Sequence, residues 1–241
     1  MKIKTYFLEI KNRLFLLIFV WFTVILVCYT FKEVLLLNII KQGFCIKEPF
    51  YLIFTDVSEI FYVYIVLIFF IGNQVLFLYC LYHILIFLSP SLFKSEYIYL
   101  MFVLKISLTW FFFSIILFIN FFFPICWEFF LSFQNLEIIK ITTLYFESKI
   151  NEYLYFYTSS YYTFVFCFQI LAFLFLMFDF SKSNTELVQK FRKFFYYFFI
   201  IFSTLVTPPD VFSQLFLSSC LIFSYETLVF YFIYKKINHS N

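Results

Sequence analysis

The sequence predicts an all-α, polytopic membrane protein with six transmembrane helices, the fifth of them short, and both termini on the same, cytoplasm-facing side. Three observations carry that expectation: an apolar excess that no water-soluble body can cover, a series of uninterrupted hydrophobic runs, and a paired-proline break that divides the last run in two. Hydrophobic residues are 64% of the 241-residue chain and charged residues 13%, with a mean hydropathy of +0.96. Soluble chains average about 45–50% apolar and about 25% charged residues. The solvent for most of this surface is therefore lipid, and residues 1–241 are expected to form a single six-helix transmembrane domain.

A spanning helix needs roughly 20 predominantly apolar residues. Leu14–Phe31, Ile60–Leu81, Ile98–Phe123 and Tyr161–Phe178 meet that requirement. Backbone amides in hydrocarbon must pair within their own segment unless the chain closes a barrel, and no period-two alternation supports a barrel. The last apolar stretch, Phe194–Tyr234, is broken by Thr207-Pro208-Pro209-Asp210. Proline donates no hydrogen bond and disfavours helical geometry in the residue before it. The break predicts a hairpin of two helices, Phe194–Val206 and Val211–Tyr234, the first about 20 Å long at 1.5 Å per residue. The outer connections, Lys32–Glu59 and Pro124–Ser160, mix apolar and charged residues and predict short helices lying on the outer surface.

Charge placement sets the orientation. With six spans, one side holds eleven basic residues: Lys2, Lys4, Lys11, Arg13, Lys94, Lys182, Lys190, Arg192, Lys193, Lys235 and Lys236. The other side holds five: Lys32, Lys41, Lys47, Lys140 and Lys149. The excess of Lys and Arg on cytoplasmic loops assigns both termini to that side or its organellar equivalent.

Several function classes lose support. The six cysteines (Cys28, Cys45, Cys80, Cys126, Cys167, Cys220) are scattered with no C-x-x-C pair, unlike metal or redox frameworks, whose ligands are closely spaced. A haem-binding subunit wants paired intramembrane histidines, and the chain has only His83 and His239. Neither a phosphate-binding loop nor a catalytic triad is visible, so no enzyme, cofactor, metal or nucleic-acid partner is expected. The apolar run after the basic N-terminus lacks a small-residue cleavage site. Forty-five Phe and 20 Tyr against 2 Gly and the lone Ala172 are read as the mark of an AT-biased, organellar gene.

The residues alone single out two groups. Glu9 and Glu96 are carboxylates beside helix ends on the inner face, together with Asp179 and Glu186. They read either as solvated charges paired with Lys11 and Lys94, or as acceptors for a guanidinium, which carboxylates bind through two parallel hydrogen bonds. Glu226 is a carboxylate inside a predicted span, where a charge costs about 2.5–3.5 kcal/mol on insertion scales and so faces protein or water. Gln169, in the fourth span, is its expected partner.

Four segments carry a family resemblance. They are Thr207-Pro208-Pro209-Asp210-Val211-Phe212-Ser213-Gln214 followed by Tyr225-Glu226; Phe87-Leu88-Ser89-Pro90-Ser91-Leu92-Phe93-Lys94-Ser95-Glu96; Leu8-Glu9-Ile10-Lys11-Asn12-Arg13-Leu14; and Thr55-Asp56-Val57 with Phe61. Phe123-Pro124 after the third run fits as well. In order and spacing the chain resembles the TatC family, the multispanning receptor subunit of the twin-arginine protein translocase. The resemblance implies recognition of twin-arginine signal peptides at Glu9 and Glu96 with Lys11, Arg13 and Lys94 beside them. It implies an intramembrane polar site at Gln169 and Glu226, and docking of TatA/TatB-like single-span partners at Thr204, Thr207 and Gln214. Pro209 and Asp210 are expected to shape the outer turn. It further implies proton-motive-force-driven export of folded precursors, homo-oligomers within the translocase, and residence in the mitochondrial inner membrane ahead of a thylakoid or bacterial one. Three positions depart from the family pattern: Lys11 for Arg, Gln169 for a buried Glu, and Cys220 for Pro. The alternative that needs no motif is a structural membrane subunit of an organellar respiratory complex.

Overall fold

In the computed structural model the described residues are 2–43, 52–132, 148–180, 191–207 and 209–240. They form helices α1 (Lys2–Thr30), α2 (Lys32–Gly43), α3 (Val57–Leu88), α4 (Lys94–Leu117), α5 (Phe123–Ser132), α6 (Ile150–Phe180), α7 (Arg192–Val206) and α8 (Val211–Ser240), with two-residue strands β1 (Leu52–Ile53) and β2 (Ser148–Lys149). Among the described residues, four stretches are long and apolar enough to cross a membrane: Tyr6–Thr30, Val57–Ser91, Lys94–Ser132 and Val211–Tyr231. The protein is thus a nearly all-helical, multi-pass membrane protein.

Most helices extend beyond the apolar runs. α1 begins at Lys2, so Glu9, Lys11 and Arg13 lie on helix rather than ahead of it. α5 is a short helix at the start of Pro124–Ser160, where one was expected, and it follows α4 without a break. Helical backbone continues to Ser132 because residues Phe118–Phe122 adopt a π-helix just before the proline. Proline lacks an N–H and clashes with the carbonyl four residues back; the wider i→i+5 turn absorbs both effects without ending the helix. The fourth predicted run lies within α6, which starts at Ile150, eleven residues before Tyr161. Only part of Pro124–Ser160 is therefore connection. α2 is a short helix within Lys32–Glu59, where one was expected. α7, with 15 residues, is about 22 Å long, shorter than a hydrocarbon core of about 30 Å.

The chain divides into two compact units. The first comprises residues 1–41, 50–104 and 147–155. Here α1 and α3 run antiparallel, as the descending pairing shows: Arg13 lies over Phe87, Trp21 against Phe69, and Lys32 over Tyr64. Trp21 Nε1 donates to Asn73 Oδ1 at 3.3 Å. Gly72 lies under the indole, where an added Cβ would make ordinary van der Waals contact with Trp21 at 3.4 Å and Ile25 at 3.5 Å. Val63 and Leu67 are fully buried in α3. α1, by contrast, turns Phe7, Phe15, Ile18, Phe19 and Phe22 outward, an apolar surface suited to lipid. β1 and β2 pair in parallel, Leu52 with Ser148 and Ile53 with Lys149. The Tyr153 hydroxyl donates to Ile39 O at 3.1 Å and fastens the start of α6 to α2.

The second unit comprises residues 42–49, 105–146 and 156–241. Its core is aromatic. Phe118 is fully buried, and its ring lies 5.2 Å from Tyr161, 5.4 Å from Tyr157, 5.7 Å from Phe164 and 5.8 Å from Phe122. Edge-to-face and tilted ring pairs at these separations are attractive beyond simple area burial. They do the packing that Gly and Ala perform in other membrane helices. α7 and α8 pack together through Tyr225, whose ring lies 5.0 Å from Phe195 and 5.9 Å from Phe199. Buried serines of this unit return their hydroxyls to their own helix, as Ser114 does to Phe111 O and Ser203 to Ile200 O. Donors that would otherwise be stranded in hydrocarbon are thereby satisfied.

Candidate functional site

The antiparallel pairing in the first unit brings the first turns of α1 to the end of α3, where the chain turns through Ser89–Ser91 into α4. Glu9 and Glu96 both belong to this end. Glu9 lies one turn before Arg13 on α1. Arg13 donates Nε and Nη2 to the same carboxylate oxygen, Glu9 Oε1, at 3.1 and 2.5 Å. Arg13 is also held from the other side, with its guanidinium carbon 5.8 Å from the centre of the Phe87 ring. Glu96 sits in the first turn of α4, where its Oε2 accepts the Phe93 backbone N–H at 2.9 Å. That bond satisfies a donor left over at a helix start, and the carboxylate is favoured there by the helix dipole. Pro90 and the short 3₁₀ turn produce the corner that presents it. Among the described residues each carboxylate keeps one oxygen without a partner, and neither pairs with Lys11 or Lys94, which are both exposed. Glu186 and the side chain of Asp179 lie outside the described residues.

In the second unit the polar residues do not pair as expected. The anticipated contact between Gln169 and Glu226 is replaced by two separate ones. Gln169 exchanges hydrogen bonds with Ser107: the serine hydroxyl donates to Oε1 at 3.0 Å, and Nε2 donates to Ser107 O at 3.3 Å. Glu226 accepts from the Tyr196 hydroxyl on Oε1 and faces Arg192 Nη2 at 3.5 Å on Oε2. The reason lies in the hairpin arithmetic. Glu226 comes sixteen residues after Asp210, and Arg192 fifteen before Thr207, so an antiparallel pair of helices sets them level. Sixteen residues are about 24 Å of helix, most of a hydrocarbon core of about 30 Å. Glu226 is therefore nearer the basic end of α7 than the middle of a span. Sequence reasoning missed Arg192, Tyr196 and Ser107 as partners, although counting outward from the Pro-Pro break pairs the first with Glu226.

The turn between α7 and α8 is built by Asp210. Its carboxylate accepts the Phe212 N–H at 3.3 Å and the Ser213 N–H at 3.1 Å, an N-cap of α8. Pro209 is exposed beside it, and Pro208 lies outside the described residues. Thr204 and Thr207 donate their hydroxyls to Ile201 O and Ser203 O on their own helix, Thr204 exposed and Thr207 buried. Gln214 lines a cavity of about 500 Å³ with Ile200, Leu215, Phe216, Ser218, Ser219 and Ile222. No group of three or more His, Cys, Asp and Glu side chains is arranged to hold a metal ion among the described residues.

Fold and site together define an integral, multi-pass membrane protein whose polar groups Gln169 and Glu226 each join two helices and whose Glu9 and Glu96 share one end of the first unit. The sequence model of the family described as Sec-independent protein translocase protein (TatC) matches residues 5–219. An uncharacterised tatC-like protein of Reclinomonas americana is 32% identical over 238 residues, covering 95% of this chain and 86% of that one. The Sec-independent protein translocase protein TatC of Rickettsia prowazekii is 26% identical, covering 92% and 88%. A crystal structure of the twin-arginine translocase receptor TatC shares the fold, with a TM-score of 0.69 at 20% identity over 93% of this chain and 98% of that one. The chain belongs to the TatC family. It is accordingly a subunit of the Sec-independent protein translocase, a transport component and not an enzyme.

Proposed function

We propose that this chain is the receptor subunit of a twin-arginine translocase, binding the arginine pair of a folded precursor's signal peptide at Glu9 and Glu96. One observation carries the reading: the two carboxylates share one end of the first unit, each with an oxygen uncommitted among the described residues. Two adjacent guanidiniums need two acceptors that are fixed, reachable and partly desolvated. Glu96 is fixed by the Phe93 amide and Glu9 keeps one oxygen open among the described residues, while Lys11 and Lys94 are exposed and can meet other groups of the precursor. With six spans and both termini on the matrix side, the site faces the compartment where precursors fold; the AT-biased composition points to the mitochondrial inner membrane. TatA/TatB-like single-span partners dock along Thr204, Thr207 and the Gln214 cavity, in homo-oligomeric assemblies, and the proton-motive force drives transport. Gln169 and Glu226 keep the interior polar groups matched while the signal peptide inserts.

The test is a charge reversal. Glu96→Lys is expected to abolish photo-crosslinking between this chain and a precursor's arginine pair while membrane insertion is retained. Crosslinking at the wild-type level would remove Glu96 from the recognition site.

A further inference from the structure

Glu9 is not an empty acceptor. Arg13, one turn along the same helix, turns two guanidinium donors onto its Oε1, the kind of contact a ligand's arginine would make. The pair is accessible: the Arg13 side chain is 20% exposed and that of Glu9 42%. The same guanidinium also rests over the face of Phe87, 5.8 Å from its centre, a contact that does not use Glu9 and that attracts a cation through the ring quadrupole.

We propose that Arg13 is an internal stand-in for the ligand's guanidinium at Glu9, occupying the carboxylate in the unliganded protein and giving it up, with its Phe87 contact kept, when a signal arginine replaces it. This rests on the receptor reading above. An intramolecular competitor reduces the apparent affinity for every cation that seeks Glu9 by the fraction of time the carboxylate is free. It thereby sets a threshold: a guanidinium, which restores the two-point contact, passes it, and a single weakly held ammonium falls below it. It also keeps the carboxylate satisfied at the membrane rim when no precursor is present, where an unpaired charge is costly.

The experiment measures binding of a fluorescent synthetic signal peptide, with its Arg-Arg pair, to the full chain in proteoliposomes. Exposed ion pairs of this kind shift equilibria by about 2- to 5-fold, so Arg13→Gln is expected to tighten the peptide by that factor. Lys4→Gln, which removes an exposed charge from the same helix without touching Glu9, is expected to change binding by less than about half as much. In a Glu9→Gln background the gain from Arg13→Gln is expected to vanish, since the competitor then has nothing to occupy. Equal tightening by Lys4→Gln and Arg13→Gln, or a gain that persists without Glu9, reduces the effect to a general field and overturns the proposal. Unchanged or weaker binding by Arg13→Gln, with Glu9→Gln still impaired, overturns it while the receptor reading stands. If Glu9→Gln itself binds normally, the receptor reading fails and takes this one with it.

Discussion

The molecule contains two Glu–Arg pairs that look alike and differ in what they connect. Glu9 and Arg13 are four residues apart on one helix, α1. Glu226 and Arg192 are thirty-four positions apart in sequence and join α7 to α8, with Tyr196 sharing the carboxylate. Releasing the first pair requires only side-chain rotation, because the helix hydrogen bonds stay intact. Releasing the second leaves a guanidinium whose Nε is already buried without a partner among the described residues, and loosens α7, which is shorter than a hydrocarbon core. The first pair is thus suited to exchange with a ligand and the second to holding a hairpin closed. Position in the fold, and not charge, separates a binding group from a structural one.

The sharpest way to break the comparison is to test the hairpin itself. Tyr225 is fully buried between Phe195 and Phe199. Tyr225→Ala removes the ring that both helices share, and is expected to cost about 3 kcal/mol, at the lower end of aromatic-to-alanine substitutions. Unfolding in mixed micelles titrated with a denaturing detergent measures it. A loss near zero would show that α7 is held by something other than this contact. Glu226→Ala comes next. It strands the Tyr196 hydroxyl and Arg192, but both side chains of the ion pair are about one-third exposed, so water recovers part of the loss. Interhelical hydrogen bonds in membranes contribute about 0.6–2 kcal/mol, and the expected destabilisation lies in that range. Arg192→Gln is expected to cost less than Glu226→Ala, since Glu226 keeps Tyr196.

Much of this arrangement is legible in the chain because hydrophobic length and proline are strong local signals. The apolar runs mark α1, α3, α4, α6 and the α7–α8 hairpin, and Thr207-Pro208-Pro209-Asp210 marks the turn where Asp210 caps α8. Element ends are less legible. The third apolar run ends at Phe123, yet the π-helix at Phe118–Phe122 carries α4 straight into α5 past Pro124, and nothing in the local composition shows that the two helices are continuous. Partners are harder still. Gln169 and Glu226 are both polar residues inside apolar runs, which suggests that they meet; which face each helix turns to its neighbours decides otherwise, and Ser107 on α4 is indistinguishable in sequence from the other back-bonded serines. Arg13 is visible as part of a motif, but that it occupies Glu9 is a matter of four-residue spacing and rotamer that only coordinates display.

The smallest expected effect is the most discriminating. Arg13→Gln removes the ion pair of Glu9, a loss expected to stay within about 0.5 kcal/mol, the range for i,i+4 pairs on a helix. The Phe87 contact adds up to about 1 kcal/mol to that loss, and Gln retains part of it through packing against the half-buried ring. The same detergent-unfolding measurement, run beside Arg192→Gln, compares the loss of an arginine from a single helix with the loss of one that bridges two. A larger cost at Arg13 than at Arg192 would reverse the assignment of roles, making the Glu9 pair part of the scaffold and leaving the signal arginines no carboxylate there to win.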